Sequence, residues 1–546
     1  MFFYRNKRYI PFLIIFVIFL FHAFNNYIIL AKDNIPVIHD ELQYFMESGR
    51  WYGMFNDIFF KWDFSNALLL FKNWASPYPP LVQITSALFY FPFGLTEDMA
   101  VLSLLPYLFI LFFSVYMIGR KLYNNLVGLL AAFLISIFPM IISFSRVYYL
   151  EIPVTALSSL ALLVLLNTDY FSNRKYSVLF GITLAMALLA KWISIVFIAG
   201  PFGLCIFSAL FSKTVPKKKI IINLFISLCV CFLFILPVYS LLYKTFLSNY
   251  SSVFINSSKY NLVNLNIDSF FIYFKHLYNF QILSFFTIVF CCSILIFLLK
   301  TKNGKGFLII WFLFPCIFFT ALYFLGYFES PRFTVPCLPS VALIISSAVF
   351  SLNKDKKVKF SSVIVVLIIA LLVVVGLEQF FRLSYDSEYR PHLLSSVRYH
   401  HGFGRYQAYV EDWKTKELIA IIKNKRLSKK NGKTIVLPFH TAGILHTPLK
   451  RAFWFGNILY DDFLNGVSGG YLGLQGEEIY ENKIRKADII IIKYDGFLSG
   501  VGGDGPIASQ VYKILLKLFE KNKDLFYLAD SFDLPDNSKL LVYVKK

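Results

Sequence analysis

Four groups of ionisable residues in this chain are spaced to do chemistry at a membrane surface. The first is the pair Asp40-Glu41 in Val37-Ile38-His39-Asp40-Glu41-Leu42-Gln43-Tyr44, directly after the first long apolar segment. The second is Arg146 with Glu151 in the stretch Ser145-Arg146-Val147-Tyr148-Tyr149-Leu150-Glu151-Ile152-Pro153, the third is Lys191, and the fourth is Arg332 in Phe328-Glu329-Ser330-Pro331-Arg332-Phe333. A carboxylate pair where a helix leaves the bilayer is either a solvated helix cap or a general base at the interface. Arg146 and Glu151 read equally as an ion pair that snorkels to water or as part of a site. Between the first two groups, Ser76-Pro77-Tyr78-Pro79-Pro80-Leu81 must end any helix and turn the chain.

The elements that position these groups are membrane helices. The chain has 57% hydrophobic, 19% aromatic and only 16% charged residues, and the apolar excess falls in long uninterrupted runs. Crossing the hydrocarbon takes roughly 20 apolar residues. Runs of that kind lie near 10–30, 100–118, 126–143, 153–167, 177–190, 192–212, 220–243, 281–300, 307–326, 333–352 and 360–380. They predict about 11–12 spans, with 81–93 as a short helix at the interface. Lys191 splits 177–212 into two short halves.

The formal net charge of +21 does not point to nucleic acid, because the basic residues are sorted by side. With the N-terminus cytoplasmic, the inner segments carry Arg5, Lys7, Arg8, Arg120, Lys121, Arg174, Lys175 and the lysine groups 213–219, 300–305 and 354–359. The short outer turns keep Arg146, Lys191 and Arg332. This is the positive-inside pattern, and it requires an odd number of crossings before residue 380. The first segment is too long for a signal core and lacks a small-x-small cleavage pattern, so it reads as an uncleaved span. The seven cysteines sit in or beside spans and imply neither a disulfide framework nor a metal site.

Outside the spans, the loop of about 31–80 is rich in Trp, Tyr and Phe, which suits helices lying in the headgroup layer. The segment 243–281 reads as a polar loop; its Asn249-Tyr250-Ser251 and Asn256-Ser257-Ser258 triplets receive no role. Beyond residue 380 the spans stop. Strands at Thr434–Pro438, Ala487–Ile492 and Leu540–Val544 alternate with helical patterns at 412–426 and 506–521. The predicted architecture is therefore mainly α: a polytopic helical bundle over 1–380, then a small extracytoplasmic α/β domain over 381–546. The glycine-rich stretches 466–470 and 500–505 lack dinucleotide-type context and read as loops. His400-His401, His440 and His446 have no carboxylate spacing that supports a metal.

In order, these features are Asp-Glu after the first span, a Pro-Pro-Leu turn, Arg followed by Glu-x-Pro, Leu-Ala-Lys-Trp, and Arg-Phe-x-x-Pro-x-x-Pro. Together they resemble the GT-C glycosyltransferases, in particular the branch of the protein O-mannosyltransferases and lipid A aminoarabinose transferases. The resemblance covers about residues 1–380. It implies an enzyme of the plasma (inner) membrane that transfers a hexose or pentose from a polyprenyl-phosphate-linked donor, with Asp40 as the catalytic carboxylate and Glu41 as its neighbour. Two positions depart from the family pattern. Tyr78 stands where Lys or His often precedes Pro-Pro-Leu, and Glu151 stands where Asp is frequent.

Physical chemistry agrees with that implication. Nucleotide sugars are absent outside the cytoplasm, so a transferase there draws on a lipid-linked sugar whose phosphate lies at headgroup depth. A phosphate leaves as a stable anion, so the acid carboxylate of glycosidases is not required. One base, Asp40, accepts the proton of an attacking acceptor with inversion. Arg146, Lys191 and Arg332 offer positive charge to the phosphate, Tyr78 is a further candidate for substrate or phosphate contact, and Glu151 orients Arg146 or the acceptor. The scheme needs no cofactor beyond the lipid-linked donor. A divalent metal has no ligand cluster to support it. The acceptor is a lipid, a protein or an envelope glycan. Two alternatives remain: a ligase or polymerase moving a whole polyprenyl-linked glycan, and a lipid-linked sugar transporter or flippase. The latter would place charges near the bilayer midplane, whereas here they collect at one surface.

Overall fold

The computed structural model describes residues 9–33, 39–72, 78–211, 216–257, 267–301, 303–325, 330–352, 359–386, 389, 405–408, 414, 417–418, 420–421, 434–439, 458–460, 477–494, 506–534 and 539–546. The chain divides into two compact units. One comprises Met1–Ala31, Tyr44–Arg398 and Gly402–Gln407; the other comprises Lys32–Gln43, Tyr399–His401 and Ala408–Lys546.

The first unit is helical, and it belongs to an integral membrane protein. Among the described residues, eight helical stretches are long and apolar enough to cross a membrane: Ile10–Lys32, Glu97–Leu122, Ser194–Phe211, Lys217–Tyr243, Leu283–Lys300, Lys305–Phe324, Pro331–Ser351 and Ser362–Tyr385. The remaining three predicted segments are shorter. The run 126–143 is cut at Phe138-Pro139 into Asn125–Ile137 and Pro139–Phe144, because a proline cannot continue the ladder of the helix before it. Glu151–Asn167 and Arg174–Ala190 have 17 residues each. Lys191 ends the second of these with extended backbone, φ −163°, before Ser194 opens the next helix. One expectation needs correction: the helix starting at Lys217 does not stop near 243 but runs on to Ser257.

Apolar side chains gain little by leaving lipid for one another, so close backbone approach and interhelical hydrogen bonds hold such helices together. Helix 217–257 is tied to its neighbours this way. Asn223 Nδ2 donates to the Phe171 carbonyl at 2.7 Å, Ser227 Oγ to the Ser177 carbonyl at 2.6 Å, and Tyr239 to the Leu188 carbonyl at 3.0 Å. The span Glu97–Leu122 consists of two helices, Glu97–Leu102 and Leu105–Leu122, and the second meets helix Asn125–Ile137 through glycine. A Cβ on Gly128 would stand 2.4 Å from the Tyr116 carbonyl oxygen, a backbone atom that cannot turn aside. Gly128→Ala should therefore destabilise the bundle by about 1–3 kcal/mol, read as an earlier thermal transition in detergent. An unchanged transition would refute this close packing.

The second unit contains a five-stranded sheet. Its strands are β1 (Thr434–Phe439), β2 (Ile458–Tyr460), β3 (Ile489–Tyr494), β4 (Phe526–Asp533) and β5 (Lys539–Lys545), in the order β2-β1-β3-β5-β4. β1 runs parallel to β2 and β3, while β5 is antiparallel to β3 and β4. Helices Glu477–Lys486 and Pro506–Lys521 cover it, with Tyr480, Ile484, Leu515 and Phe519 packed against Ile490 and Ile492. The α/β expectation holds, with β2, β4 and helix Glu477–Lys486 added. The glycine-rich stretches, the four histidines 400, 401, 440 and 446, and most of 412–426 lie outside the described residues.

Candidate functional site

Asp40 and Glu41 occupy the first turn of helix His39–Asn56. Carboxylates there complement the unpaired N–H groups and the positive end of the helix dipole. Asp40 is half-buried, and Glu41 is only 2% exposed. The same helix carries Tyr44 one turn on from Asp40, and Tyr44 is buried.

In the membrane unit, three of the predicted residues come together. Lys191 Nζ donates to Glu151 Oε1 at 3.1 Å, and Lys191 lies 5.9 Å from the centre of the Tyr78 ring. Glu151 begins helix Glu151–Asn167 and is buried; Lys191 caps the end of helix Arg174–Ala190 in the break before Ser194, with extended backbone, and its side chain reaches across. Tyr78, just before the helix Leu81–Phe93, is held by the Pro79-Pro80 turn. An aromatic relay leads on from it. The Tyr44 ring lies 5.2 Å from Tyr78 and 6.0 Å from Tyr149, and Arg332 stacks 5.7 Å from the Tyr149 ring centre. Arg332 belongs to the 3-10 turn Pro331–Cys337 and is buried. The arrangement offers two cations, one carboxylate and three tyrosine rings, the equipment for holding an anion and stacking on a sugar ring.

Arg146 makes a different set of contacts. It is fully buried, and its guanidinium is bonded in three directions. Nε donates to Asn26 Oδ1 at 3.1 Å, Nη2 to Ser384 Oγ at 2.9 Å, and Nη1 to the Tyr406 carbonyl, while the group stacks 5.5 Å from the Phe380 ring centre. Asn26 in turn donates to the carbonyl and hydroxyl of Ser145, at 3.0 Å each. Burial pulls the Arg146 group down to about 10, which leaves it cationic at neutral pH. The expected partnership of Glu151 with Arg146 is thus not formed. The turn sends Arg146 inward to the first and last spans, while Glu151, one helix start later, meets Lys191.

Several residues that matter here are absent from the sequence reading. Asn26 belongs to a polar face His22-Asn25-Asn26 inside the first apolar span, all buried; spacing of three and four residues within hydrocarbon is the signal that points to it. Asp57 is a buried carboxylate that opens the π-helical turn Asp57–Lys61, but Lys61 at 2.8 Å and Asn66 at 2.5 Å engage it, which makes it a local staple. Ser48 bonds Tyr90 at 2.8 Å, and Tyr148 donates to Ser86 at 2.7 Å, fastening helix 39–56 and the 145–150 turn to helix 81–93. Among the described residues no three His, Cys, Asp or Glu side chains gather to hold a metal ion.

The whole architecture has counterparts among solved structures. It is similar to ArnT from Cupriavidus metallidurans bound to undecaprenyl phosphate, with a TM-score of 0.60 at 11% identity, over 96% of this chain and 97% of that one. The fold is that of the GT-C glycosyltransferases. It is also similar to the archaeal oligosaccharyltransferase AglB from Archaeoglobus fulgidus, a complex with an inhibitory peptide and a dolichol-phosphate. There the TM-score is 0.56 at 12% identity, over 98% of this chain and 74% of that one. In sequence, residues 61–251 match the family described as Dolichyl-phosphate-mannose-protein mannosyltransferase. That match spans the turns at Pro79-Pro80, Arg146–Glu151 and Lys191. No curated protein sequence shows significant similarity to the chain.

Proposed function

We propose that this protein is a membrane glycosyltransferase that moves a sugar from a polyprenyl-phosphate donor to an acceptor hydroxyl or phosphate on the extracytoplasmic face. The observation that carries this reading is the grouping of Tyr78, Glu151, Lys191 and, through Tyr149, Arg332 in a chain with the GT-C fold. Asp40 is the base. It takes the proton of the acceptor as that oxygen attacks the anomeric carbon, the bond to the phosphate breaks, and the configuration inverts. Glu41 supports Asp40 within the same helical turn.

Lys191 and Arg332 hold the donor phosphate and stabilise the anion that leaves. Glu151 limits the reach of Lys191 by pairing with it, and the tyrosines offer faces for the sugar. Arg146, with its three partners already in place, fixes the turn that carries Tyr149 and Glu151. The positive-inside charge distribution supports a cytoplasmic N-terminus with the site outside. A mass increase of one sugar on the acceptor separates this reading from transfer of a whole glycan, which the likeness to AglB keeps in view.

Arg332→Ala should weaken binding of a polyprenyl phosphate by about tenfold or more, the scale of one charge-assisted contact. Affinity measured with the protein in lipid nanodiscs checks this. An unchanged affinity would remove Arg332 from the phosphate site.

A further inference from the structure

The turn that carries Arg332 is also tied down from outside. Pro331–Cys337 is a short 3-10 turn with its own bonds, among them Phe333 N–H to the Ser330 carbonyl at 3.1 Å, but Pro336 inside it lacks an N–H and leaves a gap in them. What anchors it is Gln281, a residue 1% exposed from a distant part of the chain. Its Nε2 donates to the Pro331 carbonyl at 2.7 Å and to Thr334 Oγ1 at 2.7 Å. These acceptors flank Arg332, one residue before it and two after. Beyond them, Phe333 stacks on Phe319 at 5.5 Å with the rings 22° from parallel, which leaves the guanidinium side chain as the element to be aimed.

The backbone around Gln281 is bent in order to deliver this amide. Leu277–Gln281 forms a π-helical turn, a rare widening of the helix. Leu283, two residues on, has φ +62°, a left-handed conformation costly for any residue with a Cβ. Such strain persists where surrounding structure demands it and clusters at functional sites.

We propose that Gln281 is a positioning residue for the donor phosphate: its amide nitrogen fixes the Pro331–Thr334 backbone so that Arg332 meets the phosphate. This rests on the assignment of Arg332 to the phosphate given above. Gln281 does not touch the donor. Its loss leaves Arg332 present but unaimed.

The test uses the full chain in lipid nanodiscs with two probes, a polyprenyl phosphate and the corresponding polyprenol, and the variants Gln281→Leu, Thr334→Val, Arg332→Ala and the double variant Gln281→Leu/Arg332→Ala. Gln281→Leu should weaken polyprenyl phosphate binding by about tenfold, and Thr334→Val, which removes one of the two bonds, by about threefold. Polyprenol binding should stay within about twofold, and the double variant should bind no worse than Arg332→Ala alone, because the two residues act as one unit. Equal weakening toward both probes would mark a general packing effect and overturn the proposal. So would losses that add in the double variant, or unchanged phosphate binding in Gln281→Leu. Should Gln281→Leu fail to fold, Thr334→Val carries the same comparison. If Arg332→Ala itself binds the phosphate normally, the reading of Arg332 falls; if it binds weakly while Gln281→Leu binds normally, only the role of Gln281 falls.

Discussion

Asp40→Asn is expected to lower transfer by between about a hundredfold and ten-thousandfold, the usual worth of a positioned general base, while the protein still inserts and folds. Asparagine has nearly the same size and still accepts hydrogen bonds, so it suits the first turn of helix His39–Asn56. What it cannot do is take up the acceptor's proton. Donor binding should therefore persist in Asp40→Asn, and only the rate should collapse. Glu41→Gln, at the more buried neighbour, should have the milder kinetic effect. Single-turnover transfer from a polyprenyl-phosphate sugar, with donor affinity measured in parallel, separates the two. Near-normal turnover by Asp40→Asn would assign the base elsewhere.

Arg146→Ala is expected to be the most damaging structural change. Alanine would leave Asn26 Oδ1, Ser384 Oγ and the Tyr406 carbonyl without their donor, and each buried group left unsatisfied costs about 1–3 kcal/mol. It would also empty the space of a large, fully buried side chain. A loss of roughly 3 kcal/mol or more follows, seen as a lower thermal midpoint in detergent and a lower folded yield. Arg146→Lys should recover little, since one ammonium on a thin stem cannot serve three acceptors set around a planar fork. The fraction that folds should bind polyprenyl phosphate with normal affinity. A stable Arg146→Ala protein that had lost phosphate binding would return this residue to the donor site.

The contrast between Arg146 and Lys191 shows what one sequence conveys and what it does not. Both read as cations at the ends of spans. Lys191 announces its setting locally, because it interrupts an apolar run, and the structure does break the helix there. The partners of Arg146 lie 120, 238 and 260 residues away, a relation that no local pattern encodes. Gln281 is hidden for the same reason, its bonds reaching across 50 and 53 residues.

The spans themselves were legible because hydrocarbon thickness imposes a length on apolar runs. The end of helix 217–257 was not, because its last turns are polar, and nothing in Asn249-Tyr250-Ser251 forbids a helix that continues beyond the bilayer. In the sheet, β1, β3 and β5 are short, strongly apolar runs, and that pattern makes them legible as strands. The edge strand β4, Phe-Tyr-Leu-Ala-Asp-Ser-Phe-Asp, is largely exposed, and an exposed edge tolerates the polar residues that disguise a strand.

The central claim is that the sugar comes from a lipid phosphate at the outer membrane surface. It is tested most directly by offering the purified protein, in vesicles with an envelope extract as acceptor, either a labelled polyprenyl-phosphate sugar or the matching nucleotide sugar. Label should pass to the acceptor from the lipid-linked donor alone, with release of polyprenyl phosphate, and should not pass with Asp40→Asn. Transfer from the nucleotide sugar, or transfer from the lipid donor undiminished in Asp40→Asn, would contradict the account.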